Sequence, residues 1–389
     1  MLNEIKEKLE MNFSDVVNWR RHMHQHPELS FQETKTALYI KEKLTSFGIE
    51  VKTNIGGNGL VGILRGDKPG KTLALRADFD GLPIHDEKDV PYKSQTPGVM
   101  HACGHDGHSA ALLGTAQALS QFCEHMNGSI LFIFQPAEET PPGGAKFMIE
   151  EGILEGVDYV FGAHLGSQIP LGKIAVGEGY QMAAVDKFKI EIRGKGGHGA
   201  RPQDSVDSIV IGSEVVSGLQ KIVSRGTDPL QSAVVTIGVF QAGSAFNVIA
   251  DKATLEGTVR TFDGDVRLAT EMQIRRIVEG ITSAYGASYY IDYLNGYPAL
   301  YNHPEETEVV RSLLTQEFSE ENMIDMVPTM GAEDFSYFLL EKPGTYFRVG
   351  AQSSEETSYP HHHPKFDIDE RALLNLEKAF VKIVAHYLF

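Results

Sequence analysis

Apolar and polar positions change their spacing several times along the chain, and each change marks a predicted element. Residues 1–25 and 34–47 carry apolar positions at helical spacing, the second run stopped by Gly48. Short apolar runs suited to buried strands follow at 60–64, 72–77, 129–134 and 159–163. Helical patterns at 109–122 and 145–151 separate the later ones. Strands alternating with helices predict an α/β domain built on a mixed, largely parallel sheet. In such sheets ligands bind beyond the carboxyl ends of the strands.

The pattern changes near residue 184. Residues 185–192 alternate as a strand, 205–223 read as a helix, and 233–240 and 252–259 as two further strands. A helix at 266–284 and a strand at 288–294 complete the series. Strand-helix-strand-strand-helix-strand is the order of the ferredoxin-like (βαββαβ) unit. After Tyr297-Pro298 helix and strand patterns return. The predicted organisation is a catalytic domain in two parts, 1–183 and 296–389, interrupted by a ferredoxin-like domain at 184–295. A length of 389 residues fits two domains better than one.

Composition narrows the function classes. Apolar content of 42% and charged content of 22% are ordinary for a soluble protein, while a net charge of −17 argues against nucleic-acid and anionic-membrane partners. Two cysteines give no disulfide framework and fit a reducing compartment. The N-terminus is charged and lacks the apolar stretch of a signal peptide, and no run approaches the ~18 apolar residues of a membrane span. The expected location is the cytoplasm.

The candidate chemistry concentrates in a few places. His101-Ala102-Cys103-Gly104-His105-Asp106-Gly107-His108 gathers a thiol, a carboxylate and three imidazoles, the donors that hold borderline transition metals. Cys103 and His105 can point from one tight turn toward a single centre. Alone, the pair would equally suit a thiol nucleophile or a buried cysteine beside a capping histidine. The additional donors favour metal, because a thiol nucleophile needs neither Glu139 nor His164. Glu138-Glu139 follows an apolar strand, and adjacent residues there project to different sides. One carboxylate can then ligate while its neighbour acts as general base. Asp78 and Asp80 follow the run 72–77 and can ligate, or hold a ligating imidazole in one tautomer. A turn-forming aspartate before Gly81 is the alternative. His361-His362-His363 lies far downstream.

His198, in a glycine-rich loop, could stabilise a developing oxyanion. Asn247, Arg260 and the turn 331–335 carry little signal by themselves. His22, His24 and His26 are evenly spaced, which is expected to place them on different faces of their helix in structural roles.

Taken together these segments resemble the M20 metallopeptidase family, in its branch of amidohydrolases that deacylate N-acyl amino acids. The resemblance runs from Arg20-Arg21-His22 through Pro27-Glu28-Leu29-Ser30 and Arg76-Ala77-Asp78-Phe79-Asp80-Gly81. It continues through the Cys103 cluster, Gln135-Pro136-Ala137-Glu138-Glu139, Gly162-Ala163-His164 and Gly257–Phe262, and ends at His362-His363-Pro364-Lys365-Phe366-Asp367. It implies a zinc-peptidase-like catalytic domain with an inserted lid that mediates a homodimer, or a tetramer. By motif the metal ligands would be Cys103, His105, Glu139, His164 and His362, holding two divalent ions. Zinc or manganese come first, nickel or cobalt after them. Glu138 would be the general base and acid, and Asp80 the carboxylate orienting a ligand. His198, Asn247 and Arg260 would touch substrate from the lid. Spacing before Pro364 selects His362 from the triple histidine, leaving His361 and His363 as spares. Two departures from the family pattern, 199–203 after His198 and Gly166-Ser167 after His164, bear on substrate preference.

The expected reaction is hydrolysis of a small N-acyl amino acid by water activated between two metal ions. Competing readings are a metallo-dipeptidase or aminopeptidase, a thiol nucleophile at Cys103, and a non-catalytic metal-binding protein on the same fold.

Overall fold

The computed structural model describes residues 1–389. Two compact units emerge: Met1–Gln181 with Tyr301–Val327 and Asp334–Phe389, and Met182–Leu300 with Pro328–Glu333. No helix is long and apolar enough to cross a membrane.

The larger unit is built on an eight-stranded mixed sheet. Its order is Glu50–Ile55, Gly59–Arg65, Asn127–Gln135, Lys68–Asp78, Tyr159–Pro170, Gly344–Gln352, Ile174–Val176 and Met323–Asp325. From Asn127–Gln135 to Gly344–Gln352 every neighbouring pair is parallel, whereas the hairpin 50–65 and its contact with Asn127–Gln135 are antiparallel. The second half of Lys68–Asp78 is buried without alternation, as expected of a strand covered on both faces. Helices His105–Ser120 and Arg371–Leu388 pack against that strand, and Leu2–Gln25 packs against those two helices. Arg371–Leu388 buries Leu373, Leu376, Phe380, Ile383 and Val384, a stripe at three- and four-residue spacing.

The smaller unit has its own apolar core, which includes Phe188, Ile190, Leu219, Leu255 and Ile274. Its four strands stand in the order Ala233–Ala242, Lys252–Thr261, Ala184–Arg193 and Ser288–Asn295, all antiparallel. With helices Ser208–Lys221 and Gly264–Ala284 between them in sequence, this is a split βαβ arrangement. Ala184–Arg193 alternates buried and less buried positions, one face packed under the helices and one turned outward. Asp207 and Asp263 start the two helices by accepting backbone N–H bonds from Ile209 and Val210, and from Asp265 and Val266. Residues 328–333 join this unit through Thr329 and Gly331, whose carbonyls accept from Ala183 N–H.

Candidate metal centre

The Cys103 turn is shaped by Gly104, whose φ of 94° lies in the left-handed region that glycine adopts without strain. Helix His105–Ser120 starts immediately after it, four residues earlier than the apolar pattern predicts. His105 and His108 therefore stand one turn apart on the same side. Lys68–Asp78 delivers Asp78 at its end and Asp80 just beyond. Asn127–Gln135 ends three residues before Glu138.

His164 differs from expectation, because it lies within Tyr159–Pro170 and not at its end. That strand pairs with Lys68–Asp78 only over Tyr159–Gly162 and continues beside Gly344–Gln352, so His164 lies just past its neighbour's last pair. The C-terminal histidines are tied to the same turn, since His362 N–H donates to the Ala102 carbonyl at 2.8 Å. His362 itself takes a φ of 66°, a left-handed conformation rare for a non-glycine residue.

Donor atoms from these segments converge. Cys103, His105 and Glu139 have ligand atoms within 4.8 Å of one another, as do Cys103, His164 and His361. Cys103 Sγ lies 3.4 Å from His164 Nε2 and 3.9 Å from His361 Nδ1. His105 Nε2 lies 3.9 Å from Glu138 Oε2 and 4.0 Å from Glu139 Oε1. Glu139 Oε1 lies 3.1 Å from His362 Nε2. Yet the buried His105 Nε2 makes no hydrogen bond. Lone-pair donors facing one another at contact distance, the buried His105 Nε2 among them without a partner, fit a bound cation. The thiolate, imidazole and carboxylate set suits borderline divalent metals.

The surrounding hydrogen bonds orient these donors. Asp80 Oδ1 lies 3.0 Å from His105 Nδ1, which fixes the tautomer whose Nε2 faces the cluster. Asp80 Oδ2 accepts from Ser30 Oγ at 2.7 Å and from Glu139 N–H at 3.0 Å. Asp78 is not a turn residue: it is fully buried, receives Arg76 Nη1 at 2.7 Å, and lies 2.6 Å from His108 Nδ1. His108 Nε2 in turn accepts from Leu165 N–H at 2.9 Å, beside His164.

Protonation follows from this geometry. Burial alone would raise both aspartates, but Arg76, His105 and His108 hold Asp78 well below the ordinary range. The bonds from His105, Glu139 N–H and Ser30 hold Asp80 down. Burial, with His108 and His361, pushes His164 well below its usual value, leaving a neutral imidazole with a free lone pair. Burial and Glu139 push the Cys103 thiol up. Hydrogen bonds to Cys103 and Glu139 raise His362 to about 10. A metal bound at His362 would displace that proton.

The other predicted positions stand elsewhere. His198 and Asn247 are exposed in the smaller unit: His198 pairs with Val248 in a two-residue ladder, and just beyond it Gly199 N–H donates to the Asn247 carbonyl at 2.8 Å. Both line a cavity of about 950 Å³, whereas Arg260 is half-buried outside it and donates to Thr258.

Of the two spare histidines, His361 lies beside Cys103 and His164, whereas His363 stacks on Tyr359. One sequence expectation needs correction. His22 and His26 share one helix face, because four residues make just over one turn; their rings lie 4.6 Å apart. His24 points the other way and is fully buried between Asp106 and Asp86, at 2.7 and 3.3 Å.

The sequence profile described as "Peptidase family M20/M25/M40" matches residues 74–386. The Bacillus subtilis (strain 168) protein YhaA is 51% identical over 385 residues, covering 99% of this chain and 97% of that one. An N-acyl-L-amino acid amidohydrolase of Geobacillus stearothermophilus is 48% identical over 302 residues, 78% of this chain and 82% of that one. The crystal structure of the Bacillus subtilis YXEP protein, described as a dinuclear metal binding peptidase from the M20 family, superposes with a TM-score of 0.83. It is 35% identical, covering 97% of this chain and 98% of that one.

Proposed function

The chain belongs to peptidase family M20/M25/M40, and on that premise we propose that it is a metal-dependent amidohydrolase that deacylates small N-acyl amino acids. The observation that supports the reading is that Cys103 groups with His105 and Glu139 and also with His164, while His362 Nε2 lies 3.1 Å from Glu139 Oε1 and Glu138 Oε2 lies 3.9 Å from the unpartnered His105 Nε2. Cys103, His105, Glu139, His164 and His362 would hold two divalent ions, with zinc or manganese preferred. When bound, such cations supply Lewis acidity, acidifying water and polarising an amide carbonyl.

Glu138 takes the proton from the attacking water on its carboxylate and hands it to the leaving amine nitrogen. Its side chain is 8% exposed, which keeps competing water away from that transfer. Asp80 holds His105 in one tautomer and anchors the Glu139 amide, so the proton-carrying and ligating glutamates keep their separation. His198 and Asn247 are proposed substrate contacts, supported by their exposure and shared cavity. Arg260 is a proposed contact on family resemblance alone. The unit around 184–295 is proposed to act as a lid and as the interface of a homodimer, which light scattering of the purified protein tests.

The test is to strip the metals, reload each ion separately, and assay N-acyl amino acids beside unblocked dipeptides. The reading expects turnover of the acylated set, lost on chelation and restored by metal. Preferential cleavage of unblocked dipeptides would replace it with a peptidase. Glu138→Gln is expected to keep fold and metal while kcat drops by about a thousandfold or more. Near-wild-type turnover would remove Glu138 from its role.

A further inference from the structure

One buried carboxylate outside the donor cluster grips the backbone on which the two glutamates stand. Glu33 is 0% exposed. It occupies the N-cap position of helix Thr34–Ser46, yet its side chain caps no N–H of that helix. Instead Oε1 accepts from Phe31 N–H and from Ala137 N–H, both at 2.9 Å, and Oε2 accepts from Asn58 Nδ2 at 3.1 Å. Phe31 and Ala137 share a second property: their φ angles are 65° and 55°. A single carboxylate oxygen thus pins two non-glycine residues in the left-handed region, which side-chain-bearing residues adopt only under constraint.

Ala137 immediately precedes Glu138 and Glu139. Its carbonyl accepts from Gly144 N–H at 3.1 Å, and the Glu139 amide two residues on is held by Asp80 at 3.0 Å. The three-residue segment is therefore mounted at both ends on buried carboxylates, Glu33 at the first amide and Asp80 at the third. A change of φ at Ala137 to an ordinary negative value would re-aim the Cα–Cβ direction of Glu138, whose Oε2 now lies 3.9 Å from His105 Nε2.

We propose that Glu33 is a positioning residue that holds Ala137 left-handed and thereby sets where Glu138 and Glu139 stand. The kinetic part rests on the reading of Glu138 as the proton-transfer group; the conformational part does not. A carboxylate suits the task because one of its oxygens can accept two N–H bonds while the other accepts a third.

Glu33→Ala in the metal-loaded enzyme is expected to lower kcat by about a hundredfold with KM changed less than about threefold, as for a misplaced reacting group. Adding Ala137→Gly is expected to recover at least about tenfold of that loss, because glycine adopts φ near 55° unaided. Glu33→Gln, which retains an acceptor oxygen, is expected to stay within about fivefold of wild type.

Independently of activity, amide exchange in the peptide 136–143 should quicken about tenfold in Glu33→Ala while Asn127–Gln135 keeps its protection. Unchanged exchange and kcat in Glu33→Ala would overturn the proposal, as would a double variant no faster than Glu33→Ala alone. If Glu33→Ala does not fold, Glu33→Asp, which withdraws the acceptor by one methylene, carries the same rescue test. Wild-type protein that hydrolyses no N-acyl amino acid would defeat the functional reading and leave the exchange measurement to decide the role of Glu33.

Discussion

Single residues carry the sharpest consequences of burial here. Glu377 is fully buried on helix Arg371–Leu388, with neither carboxylate oxygen hydrogen-bonded, and it lies where a side chain on Gly114 would collide with its Oε1. Burial raises its pKa well above the ordinary carboxylate range, so the folded protein holds it protonated. A folded pKa above the unfolded one makes its contribution complete below the unfolded value and erodes it as pH rises through the folded value. Urea midpoints of the wild type should therefore fall toward alkaline pH more steeply than those of Glu377→Gln, which has no proton to lose. Equal slopes would show that Glu377 is already ionised in the fold.

The triple histidine gives a second expectation. His362→Ala should lose metal measured by elemental analysis, and His361→Ala should keep both ions, since His362 is the one that touches Glu139. The opposite order would move the ligand to His361. Adjacent histidines cannot be told apart by residue type. Only the fold shows that one lies against the Cys103–His164 pair and the other against Glu139.

At the scale of elements, Arg20 joins three parts of the chain. It projects from Leu2–Gln25, fully buried, with Nε 2.8 Å from Asp106 on helix His105–Ser120 and Nη2 2.7 Å from Asp367. Asp106 directly follows His105, and Asp367 lies in the segment after His362, so the guanidinium braces both ligand-bearing segments. Arg20→Ala leaves two buried carboxylates without their cation and is expected to cost about 3–5 kcal/mol in urea unfolding. A loss below about 1 kcal/mol would mean that His24 and Lys88, already beside Asp106 and Asp86, carry the charge balance instead.

The strands that periodicity located, such as 60–64 and 129–134, lie inside longer observed strands, because buried runs of Leu, Ile and Phe leave a local signal. Glu50–Ile55 has a single buried residue, and Ile174–Val176 and Met323–Asp325 are three residues long, too short for a period to register. Gly344–Gln352 lies in the tail that the pattern describes only as helix and strand. The donor cluster was legible because its residue types are rare together. Glu33 was not, since a left-handed alanine and a carboxylate 104 positions away leave no compositional trace.

On the scale of the molecule, stability and site are linked through the cations. Ions that bind only the folded chain add about 2.7 kcal/mol for each site filled at a hundred times its Kd. Chelation should therefore lower the thermal midpoint, and reloading should restore it. A midpoint indifferent to chelator would mean that the donor atoms hold no ion in the purified protein.

Gly344–Gln352 lies between Tyr159–Pro170 and Ile174–Val176, inside the large sheet. A ribosome that has released everything up to residue 340 has exposed two raw strand edges whose shared partner is not yet made. Such edges invite pairing with other chains. Newly made protein must therefore be kept from its neighbours until residues 344–352 have been read, and a chain stopped before them forfeits an inner strand of the sheet together with His361 and His362.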